Sequence, residues 1–396
     1  MKNSKNGDIK AYNDDLHSPS NWLDSSFHNT YRGKTVLVTG HTGFKGTWLS
    51  IWLKALGARV VGYSLKPNTQ PSIFEETGLN DKVTHIIGDV RDENDLYRVF
   101  LEHEPELVFH LAAQPLVRES YKDPSLTYET NVMGLVYLLE AVRKTDSVQV
   151  VINVTSDKCY ENKEWIWKYR ENDSMGGYDP YSSSKGCSEL VTTAYRRSFF
   201  NPKNENGPRV LLASARAGNV IGGGDWAQDR IIPDCIRSLV AKQPIEVRNP
   251  NAIRPWQYVL EPLSGYLWLG LLLHNKFTDY ASGWNFGPQH HETMTVKELV
   301  EHVIKIWGEG SWITQNNTQS SPHEATYLAL DCSKAHHYLK WHSLYDVHET
   351  LNQTITWYKQ YYFETLNTYQ FCLDQIRKYI SKAKSRNMRW ASPLNI

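Results

Sequence analysis

The sequence predicts an α/β fold: a doubly wound parallel sheet followed by a smaller, irregular α/β lobe toward the C-terminus. Short β-branched runs alternate with helical patterns from Lys34 onward, and a glycine-rich turn follows the first run. After about Asn219 the alternation gives way to proline-broken pieces. The first strand is read at Thr35-Val-Leu-Val-Thr39, and a helix follows whose Trp48, Leu49, Trp52, Leu53 and Leu56 share one face. The second strand is Arg59-Val-Val-Gly-Tyr-Ser64, with further strands expected at 83–87, 107–111, 148–155 and 209–215. Helices are expected between them, notably over 126–143 and 181–200. Beyond 219, Pro233, Pro244, Pro250, Pro255, Pro262 and Pro288 interrupt a stretch rich in Trp and Tyr. Helices at 296–307 and from about 347 close the chain.

These readings divide the chain into four parts. Residues 1–31, polar and without an apolar core, form a flexible extension rather than a secretory signal. Residues 32–218 form the sheet domain, and 219–358 form a lobe with some chain returning to that domain. Residues 359–396 form a helical tail, whose Lys382, Lys384, Arg386 and Arg389 read as a solvated basic terminus.

Composition narrows the function. Among 396 residues, Lys plus Arg and Asp plus Glu number 43 each, which argues against nucleic acid or an anionic membrane as partner. The five cysteines are scattered and never in a Cys-x-x-Cys pair, so neither a disulfide framework nor a metal site is expected. Reduced thiols fit a cytoplasmic protein. The apolar run at 266–273 is too short to span a bilayer.

The first strand runs into Thr39-Gly-His-Thr-Gly-Phe-Lys-Gly46. Glycines between a strand and a helix let a pyrophosphate approach the backbone, and the helix N-terminus offers it free N–H groups. The turn thus selects Gly40, Thr42, Gly43, Phe44, Lys45 and Gly46 as cofactor-binding. A carboxylate about twenty residues further on would grip the ribose of NAD. Here Gly62-Tyr-Ser-Leu-Lys66 stands instead, where Ser64 can bond a ribose and Lys66 can attract a 2′-phosphate. These residues by themselves leave NAD and NADP both open.

The catalytic candidates follow the 148–155 strand. Tyr181 and Lys185 form Tyr-x-x-x-Lys at a helix start, an i, i+4 pair on one face. The ammonium is expected to lower the phenol toward working pH. The strand itself ends in Asn153-Val-Thr-Ser-Asp-Lys-Cys-Tyr160. Asp157-Lys158 sets an acid beside a base, a pair suited to losing water next to a carbonyl. A ketone makes the neighbouring proton acidic, Asp157 can protonate a leaving hydroxyl, and Lys158 is either the base or a charge that stabilises the enolate.

The Gly-x-x-Gly-x-x-Gly spacing resembles the extended branch of the short-chain dehydrogenase/reductase superfamily, which implies a Rossmann-like sheet. The resemblance makes Gly88-Asp89-Val90-Arg91-Asp92 the adenine segment, with Asp89 accepting from the adenine amino group. It lays Leu111, Ala112, Ala113 and Gln114 along the ribose and pyrophosphate, and has Asn131 brace the active-site backbone. It implies that Lys185 also holds the nicotinamide ribose and that Ser156 bonds the sugar 4-hydroxyl, Thr155 being the alternative.

The Asp157-Lys158 pair, His41 with Phe44-Lys45, and the run from Tyr160 to Trp165 resemble more narrowly the CDP-glucose 4,6-dehydratase family. So do the segments Ala215 to Trp226, Arg248 to Val259 and Trp284 to Pro288. The likeness spans about residues 30 to 345. It implies NAD as cofactor, CDP-glucose as substrate and a homodimer built from helices at 126–139 and 190–200. A buried diphosphate needs cationic partners, for which Arg254 is the first candidate, then Arg230 and Asn219, with Arg248 weaker. Trp226, Trp256 and Tyr258 are candidates to stack on base or sugar. The rival readings are a nucleotide-sugar 4-epimerase, a dehydratase of another nucleotide sugar, and a silent binding module.

Overall fold

A computed structural model describes residues 26–203, 208–288, 294–314, 327–365 and 367–392. The central sheet has seven strands: β1 (Thr35–Thr39), β2 (Arg59–Ser64), β3 (Thr84–Ile87), β4 (Leu107–His110), β5 (Val150–Val154), β6 (Leu211–Arg216) and β7 (Gly283–Asn285). All neighbours pair in parallel, and in space the order is β3-β2-β1-β4-β5-β6-β7. The chain reverses its winding between β1 and β4, and ligands of such sheets sit outside the strand ends at that switch point. β1, β4, β5 and β6 are buried along their whole length, as expected of parallel strands covered on both faces.

Helices α1 (Phe44–Ala55), α2 (Glu93–His103), α3 (Gly134–Lys144) and α4 (Pro180–Ser198) flank the sheet. α4 starts where it does because Pro180 opens it and the Asp179 carboxylate caps it, accepting from Ser182 N at 2.9 Å. The helix expected over 126–143 is interrupted. A short helix at Pro124–Tyr128 runs through a π-helical turn, Glu129–Met133, before α3 begins. That turn sets Asn131 beneath the site, whereas an unbroken helical period predicts nothing of the kind.

The lobe holds α5 (Ile231–Val240) and three two-stranded ladders: 220–221 with 257–258, 245–247 with 312–314, and 253–254 with 294–295. α6 (Leu260–His274) is buried along nearly its whole length between lobe and sheet. α7 (Val296–Trp307), α8 (Val347–Phe363) and α9 (Thr368–Ser385) complete the chain. None of the described helices is long and apolar enough to cross a membrane.

Two boundaries are corrected. The flexible extension was expected to reach residue 31, but Phe27 and Tyr31 are fully buried. The remainder of that reading, residues 1–25, lies outside the described residues. The tail expected from 359 is neither separate nor solvated. α8 runs through that boundary, and α9 packs on α1 through buried Cys372, Ile376, Tyr379 and Ile380. Phe27 stacks on Trp390 with ring centroids 5.1 Å apart, and both meet Trp52 of α1 edge-on. The lysines and arginines of the tail mark only its outer side, and its apolar face carries the information the charge count lacks.

Candidate active site

The register sets Thr39 opposite His110. The Thr39 hydroxyl lies 2.7 Å from His110 Nδ1 and accepts from Leu111 N and Ala112 N at 3.2 Å each, joining the two strand ends. In the turn between β1 and α1, a Cβ on Gly46 would lie 2.1 Å from Gly40 O, so only glycine closes it. α1 begins at Gly43 with no side-chain cap, leaving its first N–H groups directed at the cleft.

His41, buried in the same turn, lies 2.7 Å from His85 Nδ1 through its Nε2. Burial lowers both His41 and His110 from 6.5 to about 3. Both rings stay neutral in the folded chain and gain protons on unfolding, so stability is lost as pH falls through 6.5 toward about 3. Together they should cost about 4 kcal/mol by about pH 5 relative to neutrality. Denaturant melts across that range check it, and a flat stability curve contradicts it.

A cavity of about 310 Å³ runs from this turn past Ser64, Lys66, Asp89, Val90, Leu111, Ala112 and Ala113 to Ser156, Tyr181 and Lys185. The Ser64 and Thr42 hydroxyls are 2.9 Å apart. Burial works to raise the Asp89 carboxylate, but its bonds to Arg91, 2.6 Å at the shortest, hold it below its ordinary value. Gln114 departs from expectation: its side chain turns into its own loop, donating to Thr127 Oγ1 at 2.9 Å and accepting from Leu116 N at 2.6 Å. Asn131 also lies behind the cavity wall. It accepts from Gln114 N at 2.8 Å and donates to Ser184 Oγ at 2.9 Å, tying the β4 loop to α4.

The β5 end separates Thr155 from Ser156. Both line the first cavity, but the Thr155 hydroxyl donates to Glu189, and of the two only Ser156 also lines the second cavity. Ser156 Oγ donates to Asp157 Oδ1 at 2.9 Å and faces Tyr181 across the cavity, where it works to lower the phenol. Asp157 is 5% exposed, and its other oxygen accepts from Asn219 Nδ2 at 3.5 Å. A Cβ on Gly218 would lie 2.0 Å from that carboxylate, so the following segment passes Asp157 only as glycine. The expected lowering of Tyr181 joins the charge of Lys185 to that of an oxidised nicotinamide, and without the latter the balance is different. Burial dominates and pushes the phenol up to about 12, opposed by Ser156 and, more weakly, by Arg230. Burial also lowers Lys185 to about 8 and, helped by Lys185 and Arg230, Lys45 to about 8.

A second cavity, of about 400 Å³, meets the first at Phe44, Lys45, Ser156, Tyr181 and Arg230. Asp157, Lys158, Asn219, Arg248, Arg254 and Trp256 line it. Asn219 reaches it from a left-handed backbone position, φ 52°. Trp226 lies in the first cavity and donates to Tyr362 Oη at 3.1 Å. Tyr258 does not belong to the site. It is fully buried and donates to Gln375 Oε1 at 2.8 Å, joining the lobe to α9. Its aromatic ring in a proline-rich stretch is packing.

Two residues escaped the sequence reading. Asp225 accepts from Arg230 Nη1 at 2.8 Å and lines both cavities. Glu189 lies one helical turn beyond Lys185; a carboxylate on that helix's buried face was the available signal.

A glycine turn at the switch point and a Tyr-x-x-x-Lys helix, both facing one cleft, define a nucleotide-binding enzyme of the short-chain dehydrogenase/reductase type. The sequence model of the GDP-mannose 4,6 dehydratase family matches residues 37–354, and the chain belongs to that family. It is 54% identical over 332 residues to a CDP-glucose 4,6-dehydratase of Salmonella typhimurium, covering 84% of this chain and 92% of the relative. Solved structures share the fold at lower identity. A dTDP-glucose 4,6-dehydratase of Bacillus anthracis in complex with NAD has a TM-score of 0.66 at 20% identity, covering 83% of this chain and 97% of that one. A UDP-glucose 4-epimerase of Thermotoga maritima with UDP-glucose has a TM-score of 0.70 at 22% identity, covering 83% and 99%.

Proposed function

We propose that this chain converts CDP-D-glucose to CDP-4-dehydro-6-deoxy-D-glucose with loss of water, using NAD, in deoxysugar and surface-polysaccharide biosynthesis. The observation that carries the reading is the Ser156-Asp157-Lys158 turn, which faces Tyr181 where the two cavities join. The Salmonella relative supports the cytidine sugar.

The residues of the first cavity fit a dinucleotide. The uncapped α1 N-terminus and Lys45 suit a pyrophosphate, Ser64 a ribose and Asp89 an adenine amino group. NAD, when bound, supplies a hydride acceptor for C4 of the sugar and later a donor for C6. Lys185 holds the nicotinamide ribose.

Tyr181, beside Ser156, takes the proton of the sugar 4-hydroxyl. Once C4 is a ketone, Lys158 removes the C5 proton and returns it as C6 receives hydride, or, remaining charged, stabilises the enolate while water in the cleft exchanges that proton. Asp157 protonates the C6 hydroxyl, which leaves as water. Arg230, Arg254 and Asn219 hold the diphosphate, and Trp256 packs on base or sugar. In this scheme the sheet domain carries the chemistry and the lobe the substrate. An epimerase, which only removes and returns hydride, has no use for the Asp157-Lys158 pair.

We also infer a cytoplasmic homodimer. Within the expected helices Leu135, Leu138 and Leu139 are buried, but Leu190, Phe199, Met133 and Tyr128 are exposed as a second chain would require.

The test is product mass after incubation with NAD and, separately, CDP-glucose, dTDP-glucose, GDP-mannose or UDP-glucose. Loss of one water from CDP-glucose alone is expected. Water loss from another sugar alone would refute the nucleotide, and C4 inversion at unchanged mass would refute the elimination.

A further inference from the structure

Directly behind the turn that carries Ser156 and Asp157 lies a buried ion pair without a part in the proposed cycle. Glu189 and Arg216 meet at 2.8 Å with side chains 2% and 5% exposed. Glu189 also accepts from Ser214 Oγ at 2.6 Å and from the Thr155 hydroxyl. Arg216 donates to Tyr160 Oη at 2.6 Å and to Glu171 O at 3.1 Å. Well-packed apolar residues would usually stabilise such a place as well or better, because two charges lose their hydration. Stability is therefore a poor reason for the pair, and its placement supplies a better one.

Thr155 and Ser156 are consecutive at a strand end, where side chains alternate between opposite sides. Drawing Thr155 onto Glu189 turns Ser156 toward the cleft, and the helical turn that Ser156 caps, Asp157–Cys159, then brings Asp157 in beside it. Glu189 is also four residues after Lys185, on the same face of α4. The other titratable groups acting with Lys185 are Lys45 of α1, His110 of β4 and Cys159 after β5, with Tyr181 on its own helix. Burial keeps His110 and Cys159 neutral, and Lys45 is a cation. Glu189 is thus the anion among them, and its charge favours the Lys185 ammonium against burial.

We propose that Glu189 is a positioning residue of the active site. Its carboxylate, held by Arg216 and Ser214, pins Thr155 so that Ser156 and Asp157 face the substrate, and keeps Lys185 charged from one turn away. The roles of Ser156, Asp157 and Lys185 rest on the proposed function.

Glu189→Gln keeps the shape and removes the charge. In kcat/KM for CDP-glucose against pH, activity should fall off at the alkaline side roughly one unit lower than in the wild type. NMR titration of Lys185 in lysine-labelled protein, without substrate, should show the same displacement. Thr155→Val keeps the charge and loses the tether. Its alkaline limb should stay in place while kcat drops about tenfold or more and KM changes less than about twofold.

An unmoved Lys185 titration in folded Glu189→Gln overturns the charge role, and a wild-type kcat in Thr155→Val overturns the tether. If Glu189→Gln does not fold, Thr155→Val decides the tether, and the wild-type Lys185 titration decides the charge role, which a midpoint well below about 8 overturns. A wild-type protein that leaves CDP-glucose intact would refute the proposed function, while the NMR titration would still decide whether Glu189 supports Lys185.

Discussion

Replacing Tyr181 by phenylalanine should lower kcat for CDP-glucose dehydration roughly 10²- to 10⁴-fold, the usual worth of a positioned proton acceptor. The ring is almost wholly buried, so phenylalanine fills the same space and the fold should persist. Ser156 keeps its bond to Asp157, and the lobe residues proposed to hold the diphosphate are untouched. KM should therefore change little, since the lost interaction belongs to the reacting atoms and not to uniform binding. The wild-type phenol lies near 12 because burial raises it, and Ser156 and Arg230 are the groups pulling it back. Removing the Ser156 hydroxyl should consequently slow the same step. Steady-state kinetics decide the assignment: a Tyr181→Phe enzyme within about tenfold of wild type would remove Tyr181 from the chemistry.

Asp157→Asn should divide the reaction instead of stopping it at the start. The amide matches the carboxylate in size and can still accept from Ser156, so the turn should keep its form. What it loses is the proton for the departing C6 hydroxyl. Oxidation at C4 should continue, seen in single turnover as near-ultraviolet absorbance of the reduced dinucleotide. Water loss, read as product mass, should fall roughly 10²- to 10⁴-fold. The tight passage of Gly218 over the carboxylate gives the larger residues no room to substitute for it. Normal dehydration by Asp157→Asn would show that another group protonates C6.

The local parts of the site were legible in the sequence, because strand, turn and helix follow one another within a few residues. The glycine turn, the Ser156-Asp157-Lys158 end and the Tyr181–Lys185 pair all sit on the elements their patterns imply. Long-range pairings were not legible. Nothing near Tyr258 in the chain reveals Gln375 as its partner, and nothing near Thr155 selects Glu189 over water. Phe27 and the basic tail were misread for one reason: a residue's polarity shows what surrounds it in sequence and not which face meets the core. The π-helical turn under Asn131 has no periodic signature, since it arises where a helix adjusts to what it packs against.

The stacking of Phe27 on Trp390 also bears on the order in which the protein can be completed. The two rings lie more than three hundred residues apart in the sequence, yet both cover Trp52 on the helix that follows the glycine turn. During synthesis that helix can dock on the sheet early, but its outer side stays wet until Trp390 emerges. A chain interrupted before Trp390 would leave an aromatic face of that helix open to chaperones and proteases.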